Sequence, residues 1–297
     1  MRKEISLNGH KVAVVESAED VATAVKASID LIGGLKLTDC NHVIIKPNVC
    51  NAKNPYGMVL TDFRVIEAVI DLVQKKTDMI TVVESDNISG SADKRMSRSG
   101  LLRKLQEMGV SFLNLSHDEF VVHEVAGVKL RLPKTVLNAD CFINIPKIKT
   151  CGHTLVTLSM KNLFGVPQRA KKSKLHSRLD EILPYLTKVI RHDLIVVDGI
   201  VAMEGNGPVI GTPKALGVIV AGLNPVSVDA VCSRIMGFDP SEIKHIVRAY
   251  EMGLGEMRLD AINIVGEDWK RFASKFERPY SLKATLRSIK SVGKVYF

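Results

Sequence analysis

The chain has 297 residues, 46% hydrophobic and 25% charged, with a formal net charge of +9. That balance describes a globular protein able to bury a large core and excludes a disordered or fibrous chain. No apolar run reaches the ~20 residues of a membrane-spanning helix, and "LGVIVAGL", the nearest to one, is strand-sized. No signal-like stretch opens the sequence, so it reads as cytoplasmic.

Strand and helix patterns alternate along the chain. "KVAVVE" reads as a strand, followed by a helix capped by Ser17 with Val21, Ala24, Val25 and Ile29 on one face, ending near Gly33-Gly34. "HVIIK" is a short buried strand. Thr61 is placed to cap "DFRVIEAVIDLVQKK", whose Val65, Ile66, Val69, Leu72 and Val73 share a face. The strand "MITVVE", a loop, the helical "SGLLRKLQEMG" and the strand "SFLNL" follow. "EFVVHEVAGVKLRL" has Ala126-Gly127 between two β-rich runs and predicts a hairpin over 119–132. "CFINI", "LIVVD", "ALGVIVAG" and "AINIVG" supply further strands, and Asn224 with Pro225 opens a last helix. This alternation predicts an α/β fold: a largely parallel or mixed sheet with helices on both faces, a β-hairpin insertion and a C-terminal tail. Residues 1–268 read as one composite domain and 269–297 as a basic tail.

Charge is unevenly spread. From Lys270 to Phe297 there are eight Lys/Arg and one acid, Glu277. The body is near neutrality, which argues against nucleic-acid binding by the whole molecule. In the tail, Leu282, Leu286, Ile289 and Val292 recur at helical spacing beside Lys283, Arg287, Lys290 and Lys294. Packing on the domain is the preferred reading of this stripe. An acidic protein partner or second subunit comes next, and a membrane surface is disfavoured because the stripe has only four apolar residues, none of them Trp. The five cysteines, Cys40, Cys50, Cys141, Cys151 and Cys232, form no C-x-x-C pair. No self-contained zinc or iron–sulfur cluster follows from that, and the odd count without a signal peptide predicts reduced thiols.

Polar residues gather where strands end. Lys46 and Asn48 follow "VII", Glu84 and Ser85 follow "ITVV", Asn144 and Lys147 end "CFINIPK", and Asp198 ends "LIVV". Polar groups at strand ends usually just meet solvent, but in open α/β sheets ligands bind beyond the carboxyl ends of the strands. The loop 200–214, "IVAMEGNGPVIGTPK", offers Gly205, Gly207 and Gly211 for close backbone approach to an anion. It matches neither the dinucleotide fingerprint nor the P-loop.

The segment 144–165, "NIPKIKTCGHTLVTLSMKNLFG", threads Lys147, Lys149, His153 and Lys161 through apolar sequence. A helix starting near Thr154 would put His153, Thr157 and Lys161 on one face. No acid occurs from 141 to 179. A solvated face normally mixes signs, so an anion site is the favoured reading. Asp229, among Val226, Val228, Ala230 and Val231, sits either on an exposed edge or opposite these lysines.

"IKPN", "NIPKIKT…VTLSMKNLFG", "DGIVAMEGNGPVIGTPK" and "NPVSVDAV" together resemble the prokaryotic family called domain of unknown function 362, in the family's order, over roughly 46–237. The resemblance implicates Lys147, Lys149, Thr150, Lys161, Asn162 and His176, with Lys46 and Asn48 from the earlier loop. Cys151 stands where the family often has histidine, and His153 is the neighbour that could replace it. Some relatives carry ferredoxin-like cluster segments, which implies redox chemistry within the family; this chain lacks them.

Three functions compete. The first is an enzyme on a small phosphate- or carboxylate-bearing substrate. Lys46, Asn48, Lys147, Lys149, His153, Lys161, Asn162, Gly205 and Gly207 would bind it, and Asp198, Glu204 or His176 would handle protons or a divalent metal. The second is a redox-linked protein working with an iron–sulfur or flavin partner. The third is a non-catalytic protein that binds an anionic metabolite.

Overall fold

In the computed structural model the described residues are 10–17, 20–37, 40–168 and 172–288. β1 (Lys11–Glu16) leads into α1 (Val21–Leu31), β2 (Val43–Pro47), α2 (Phe63–Gln74) and β3 (Ile80–Glu84). α3 (Ala92–Arg98), α4 (Leu101–Glu107) and β4 (Ser111–Asn114) follow. The predicted hairpin is β5 (Phe120–Val125) with β6 (Val128–Pro133), turning at Ala126-Gly127. After α5 (Lys134–Leu137) come β7 (Cys141–Ile145), β8 (Lys147–Cys151), β9 (Leu155–Thr157) and the single-turn α6 (Ser159–Asn162). α7 (Leu179–Val189), β10 (Leu194–Glu204), β11 (Thr212–Gly222), α8 (Pro225–Ile235), α9 (Lys244–Glu251) and β12 (Asn263–Gly266) complete the order.

Ten strands form one mixed, mostly parallel sheet in the order β12-β1-β11-β10-β7-β2-β3-β4, with β8 paired to β10 and β9 to β8. β2, β3, β4, β7 and β10 run parallel to their neighbours in that half, while β11 is antiparallel to both β1 and β10. Strand residues alternate between two cores. Val43, Ile45, Val82, Ile143 and Val196 pack with α1, α2 and α4 on one face. Ile44, Val83, Phe142, Ile195 and Val197 pack with α7, α8 and α9 on the other. Both faces are therefore covered by helices, as the continuous apolar strands predict.

Several local expectations are corrected. α1 and α2 are capped by Asp20 and Asp62, whose carboxylates accept from Ala22 N and Arg64 N, not by Ser17 and Thr61. Each aspartate stands directly before its helix, in extended backbone that lets the carboxylate reach the second amide of the first turn. Thr61 instead donates to Ile145 O at 2.8 Å and accepts from Asn48 N at 2.9 Å, tying the ends of β2 and β7 together. The region 200–214 is mostly strand: β10 runs to Glu204 and β11 starts at Thr212, because each supplies the other's antiparallel partner. Only 205–211 remains a loop. No helix begins at Thr154. β8 finds a ladder partner in β10, β-branched Ile148, Thr150, Val156 and Thr157 suit strands, and the chain reverses at 152–154 with Leu155 at φ 64°.

Two further expectations change. Cys40 and Cys141 form a disulfide with Cα atoms 5.7 Å apart, where reduced thiols were expected. In the tail, the described helix over 282–288 buries Ala284 and Ser288 and leaves Leu282 81% and Leu286 61% exposed, the reverse of the expected packing face. Small residues are needed there because the helix lies directly on the backbone at Gly205. Ile289, Lys290, Val292 and Lys294 fall outside the described residues.

Beneath the carboxyl ends of the strands lies a buried ion pair. Lys147 Nζ is 2.6 Å from Asp198 Oδ2, and both side chains are fully buried. Burial draws Lys147 below the ordinary lysine value, with Asp198 opposing it. Asp198 also accepts from Asp62 N at 2.6 Å and Ile200 N at 3.0 Å, so one carboxylate holds β8, β10 and the start of α2. Asp198→Asn should lower the unfolding free energy by about 3–5 kcal/mol in denaturant titration, and adding Lys147→Met should restore part of it. A loss under ~1 kcal/mol would mean that the pair does not hold these elements together.

Candidate functional site

Three segments converge beyond the carboxyl ends of β2 and β3. The extended chain leaving β2 brings Lys46, Asn48 and Cys50 on alternate positions. β8 brings Lys149, and α6 brings Lys161 and Asn162. Together with Glu84, Thr157, Phe164, Gly165 and His176 they line a cavity of ≈ 160 Å³, closed by Asn87, Ile88 and Ser89 on one side and Pro208 and Val209 on the other.

The polar groups around it form one connected set. Lys149 Nζ donates to Asn48 Oδ1 at 2.7 Å, to Val59 O at 2.7 Å and to Cys50 Sγ at 3.2 Å. Asn48 Nδ2 donates to Asn162 Oδ1 at 3.0 Å, and Asn162 Nδ2 to Asn144 Oδ1 at 2.7 Å and Lys46 O at 3.2 Å. Asn144 Nδ2 finishes the chain on Ser159 O at 3.0 Å. Three asparagines thus transmit one donor direction from Lys149 on β8 to the Ser159 carbonyl of α6, and each amide's orientation is fixed by its neighbour. Lys46 Nζ lies 2.9 Å from Glu84 Oε2. A Cβ on Gly165 would sit 2.5 Å from both Glu84 Oε1 and Lys46 Nζ, so only glycine lets the backbone rest on that pair.

Lys161 differs from the other lysines. Its ammonium lies over the Phe164 ring, 4.4 Å from the centroid, and among the described residues it has no carboxylate partner. Burial lowers its pKa, as do Lys149 and Lys46, against the opposing pull of Cys151 and Cys50. His245, fully buried on α9, has no hydrogen-bond partner for either ring nitrogen among the described residues. Burial, then the charge of Lys161, pushes its pKa down to about 3, so the imidazole is neutral.

α6 is held by α8. Asp229 accepts from Ser159 N at 2.8 Å, Ser159 Oγ at 2.5 Å and Met160 N at 3.0 Å. Burial raises its pKa to about 7 while these hydrogen bonds pull the other way. Of the two placements open to Asp229 from sequence, an exposed edge or the site wall, the structure has neither. It is a fully buried clamp on the turn that carries Lys161 and Asn162.

Of the residues nominated from sequence, Lys46, Asn48, Lys149, Lys161, Asn162 and His176 share the cavity wall. His153 stacks on His176 with centroids 4.2 Å apart, and His176 approaches Phe164 at 5.6 Å. Lys147 and Asp198 are paired below. Glu204 faces a different cavity, with Lys214 at 3.1 Å and Arg287 at 3.2 Å. Gly205 and Gly207 do not line the ≈ 160 Å³ cavity, but they hang its loop from β8: Thr150 Oγ1 donates to Gly205 O at 2.8 Å, and Gly207 packs on the Thr150 carbonyl. Cys50 and Phe164 were not nominated; the alternation Lys46, Asn48, Cys50 was the available signal for the thiol. Among the described residues no cluster of three or more His, Cys, Asp or Glu side chains is placed to hold a metal ion.

The "Domain of unknown function (DUF362)" family matches residues 43–234, which contain every lysine of this cavity. The chain belongs to this family. A thylakoid-associated protein of Synechocystis sp. (strain ATCC 27184 / PCC 6803 / Kazusa) is 28% identical to this DUF362 chain over 287 residues, 91% of this chain and 89% of the relative. Among solved structures, the lactate racemase apoprotein of Thermoanaerobacterium thermosaccharolyticum superposes with a TM-score of 0.44 at 14% identity, covering 76% of this chain and 56% of that one. A Thermotoga maritima protein gives 0.45 at 11% identity, covering 80% and 59%. The DUF362 chain thus spans less than two thirds of either structure's length.

Cys151, buried beside His153 and Lys161, gives the site a titrating group near neutrality. Burial alone would raise its thiol, but hydrogen bonding by His153, the charge of Lys161 and Thr154 bring it down to about 6. A thiol depressed in the folded state adds stability that is fully present above its unfolded value, near 9, and lost as pH falls through about 6. The ultraviolet absorbance of the folded protein should show a thiolate step near pH 6 that is missing in Cys151→Ser. Identical titrations of the two proteins would refute this.

Proposed function

We propose that the cavity binds a small carboxylate- or phosphate-bearing molecule and that the chain is an enzyme acting on it. The observation that carries this reading is Lys161: a cation on the cavity wall with no carboxylate partner among the described residues, beside Lys46, which is paired with Glu84, and Lys149, whose hydrogens go to an amide, a carbonyl and a thiol. Three ammonium groups against the single carboxylate of Glu84 leave the wall cationic. An anion entering there would find donors held in place in advance, and desolvated charge-assisted hydrogen bonds are worth about 1.5–3 kcal/mol each. The volume, ≈ 160 Å³, favours a small metabolite over a dinucleotide. Lys161 would pair with the anion, Lys46, Asn48, Lys149 and Asn162 would keep the wall cationic and fixed in shape, and His176 would move protons.

Calorimetric titration with phosphate, pyrophosphate and short mono- and dicarboxylates tests this. At least one should bind in a salt-sensitive manner, and Lys161→Met should weaken it by about tenfold or more with an unchanged melting temperature. Equal affinity in the variant, or no binding across the panel, would overturn the reading.

The thylakoid-associated relative and the exposed Leu282 and Leu286 beside Lys283 and Arg287 support a second proposal, about location: the tail touches an anionic membrane surface without crossing it. Among the described residues no helix is long and apolar enough to cross a membrane. Sedimentation with anionic vesicles should retain the full chain at low salt and release Leu282→Ser/Leu286→Ser. Equal retention of both proteins would sink the proposal.

A further inference from the structure

The site brings together a singular amine, an apolar lining and an anion cradle. Lys46 is held by Glu84 and Lys149 by three acceptors, so neither amine is available to react. Among the described cavity lysines only Lys161 points its nitrogen across an aromatic face, and Ile88, Phe164 and Val209 add apolar surface to the same wall. His176 lines the same cavity, 5.6 Å from the Phe164 ring by centroids, and supplies an imidazole to that wall. A desolvated lysine crowded by other cations is the setting in which an amine becomes nucleophilic at neutral pH. The lowered pKa of Lys161, caused first by burial and reinforced by Lys149 and Lys46, agrees with that setting.

We propose that Lys161 forms an imine with a short 2-oxo acid whose carboxylate is drawn to the wall by the positive field of Lys46 and Lys149. This rests on the small-anion reading above and narrows it to a carbonyl-bearing substrate. The neutral Nζ attacks the keto carbon: a carbon–nitrogen bond forms, and the π pair of the carbonyl moves to oxygen, which takes up the proton that the nitrogen gives up. The hydroxyl then leaves as water with a second proton from His176, while the nitrogen lone pair closes the double bond and the nitrogen keeps one proton. Amine and ketone become protonated imine and water, with no change in oxidation state. The protonated imine draws electrons from the neighbouring carbon and makes proton loss or carbon–carbon cleavage there accessible. Phe164, whose ring faces the nitrogen, stabilises the cation that results.

The test is borohydride trapping on the full chain with pyruvate and with glyoxylate, followed by peptide mass mapping, alongside thermal shifts with acetate and oxalate, which carry no ketone or aldehyde. The expected result is a borohydride-dependent adduct on the peptide containing Lys161, absent from Lys161→Arg, while Lys161→Arg still shows the thermal shift. Arginine keeps the charge and cannot form the imine, so a lost fold and a lost reaction are told apart by its melting curve. Anion-induced stabilisation without an adduct would overturn the imine and leave the anion site standing. Neither stabilisation nor adduct would overturn both. Adducts spread over surface lysines at the same yield in Lys161→Arg would also refute it.

Discussion

A fully buried ammonium must collect acceptors or lose its charge, and Lys149 collects three, from Asn48, Val59 and Cys50. Each lies on the chain leaving β2, so satisfying one lysine of β8 fixes the course of that segment across the sheet top. Asn48, once held, can offer its amide only to Asn162, and Asn162 only to Asn144 and the Lys46 carbonyl. The position of α6 follows, with Asp229 gripping its first amides from the other side. Lys161 is therefore presented to the cavity by polar contacts running from β8 through β2 to α6, with no need for the turn to be stable alone. That matters because an isolated four-residue helix has almost no intrinsic stability.

Much of this was legible in the chain. Continuous apolar strands separated by amphipathic helices specify a covered, mostly parallel sheet, and Ala126-Gly127 marks its hairpin. The convergence of Lys46, Asn48, Lys149, Lys161 and Asn162 follows from strand ends meeting on one edge. What escaped were choices made by distant partners. Whether 154 begins a helix is decided by β10, some fifty residues later in sequence, which offers β8 a ladder. Whether Asp198 and Glu204 serve chemistry or structure depends on Lys147, Lys214 and Arg287, which no local pattern assigns to them. Asp229 reads as a stray polar residue in an apolar helix until α6, seventy residues earlier, is packed against it.

Buried cations also divide by role. Lys46 and Lys147 meet carboxylates and Lys149 meets dipoles, so all three are settled inside the fold. Removing any of them would leave a partner unsatisfied, which is a structural loss. Lys161 has no such creditor among the described residues. Its removal leaves no partner unsatisfied there, so binding should respond to it while stability does not.

The loop 205–211 is anchored at both ends of its width. On one side Thr150 holds the Gly205 carbonyl. On the other, Gly205 N donates to Glu277 O at 2.9 Å, Asn206 Oδ1 accepts from Tyr280 N at 2.7 Å, and Asn206 Nδ2 donates to Ser288 Oγ at 3.2 Å. Pro208 and Val209, two and three positions on from Asn206, are cavity wall. The tail is thus a rafter under the roof of the pocket. Any force on 277–288 from outside would therefore reach the cavity wall through these seven residues, and a coupling between two such occupants would have to be reciprocal.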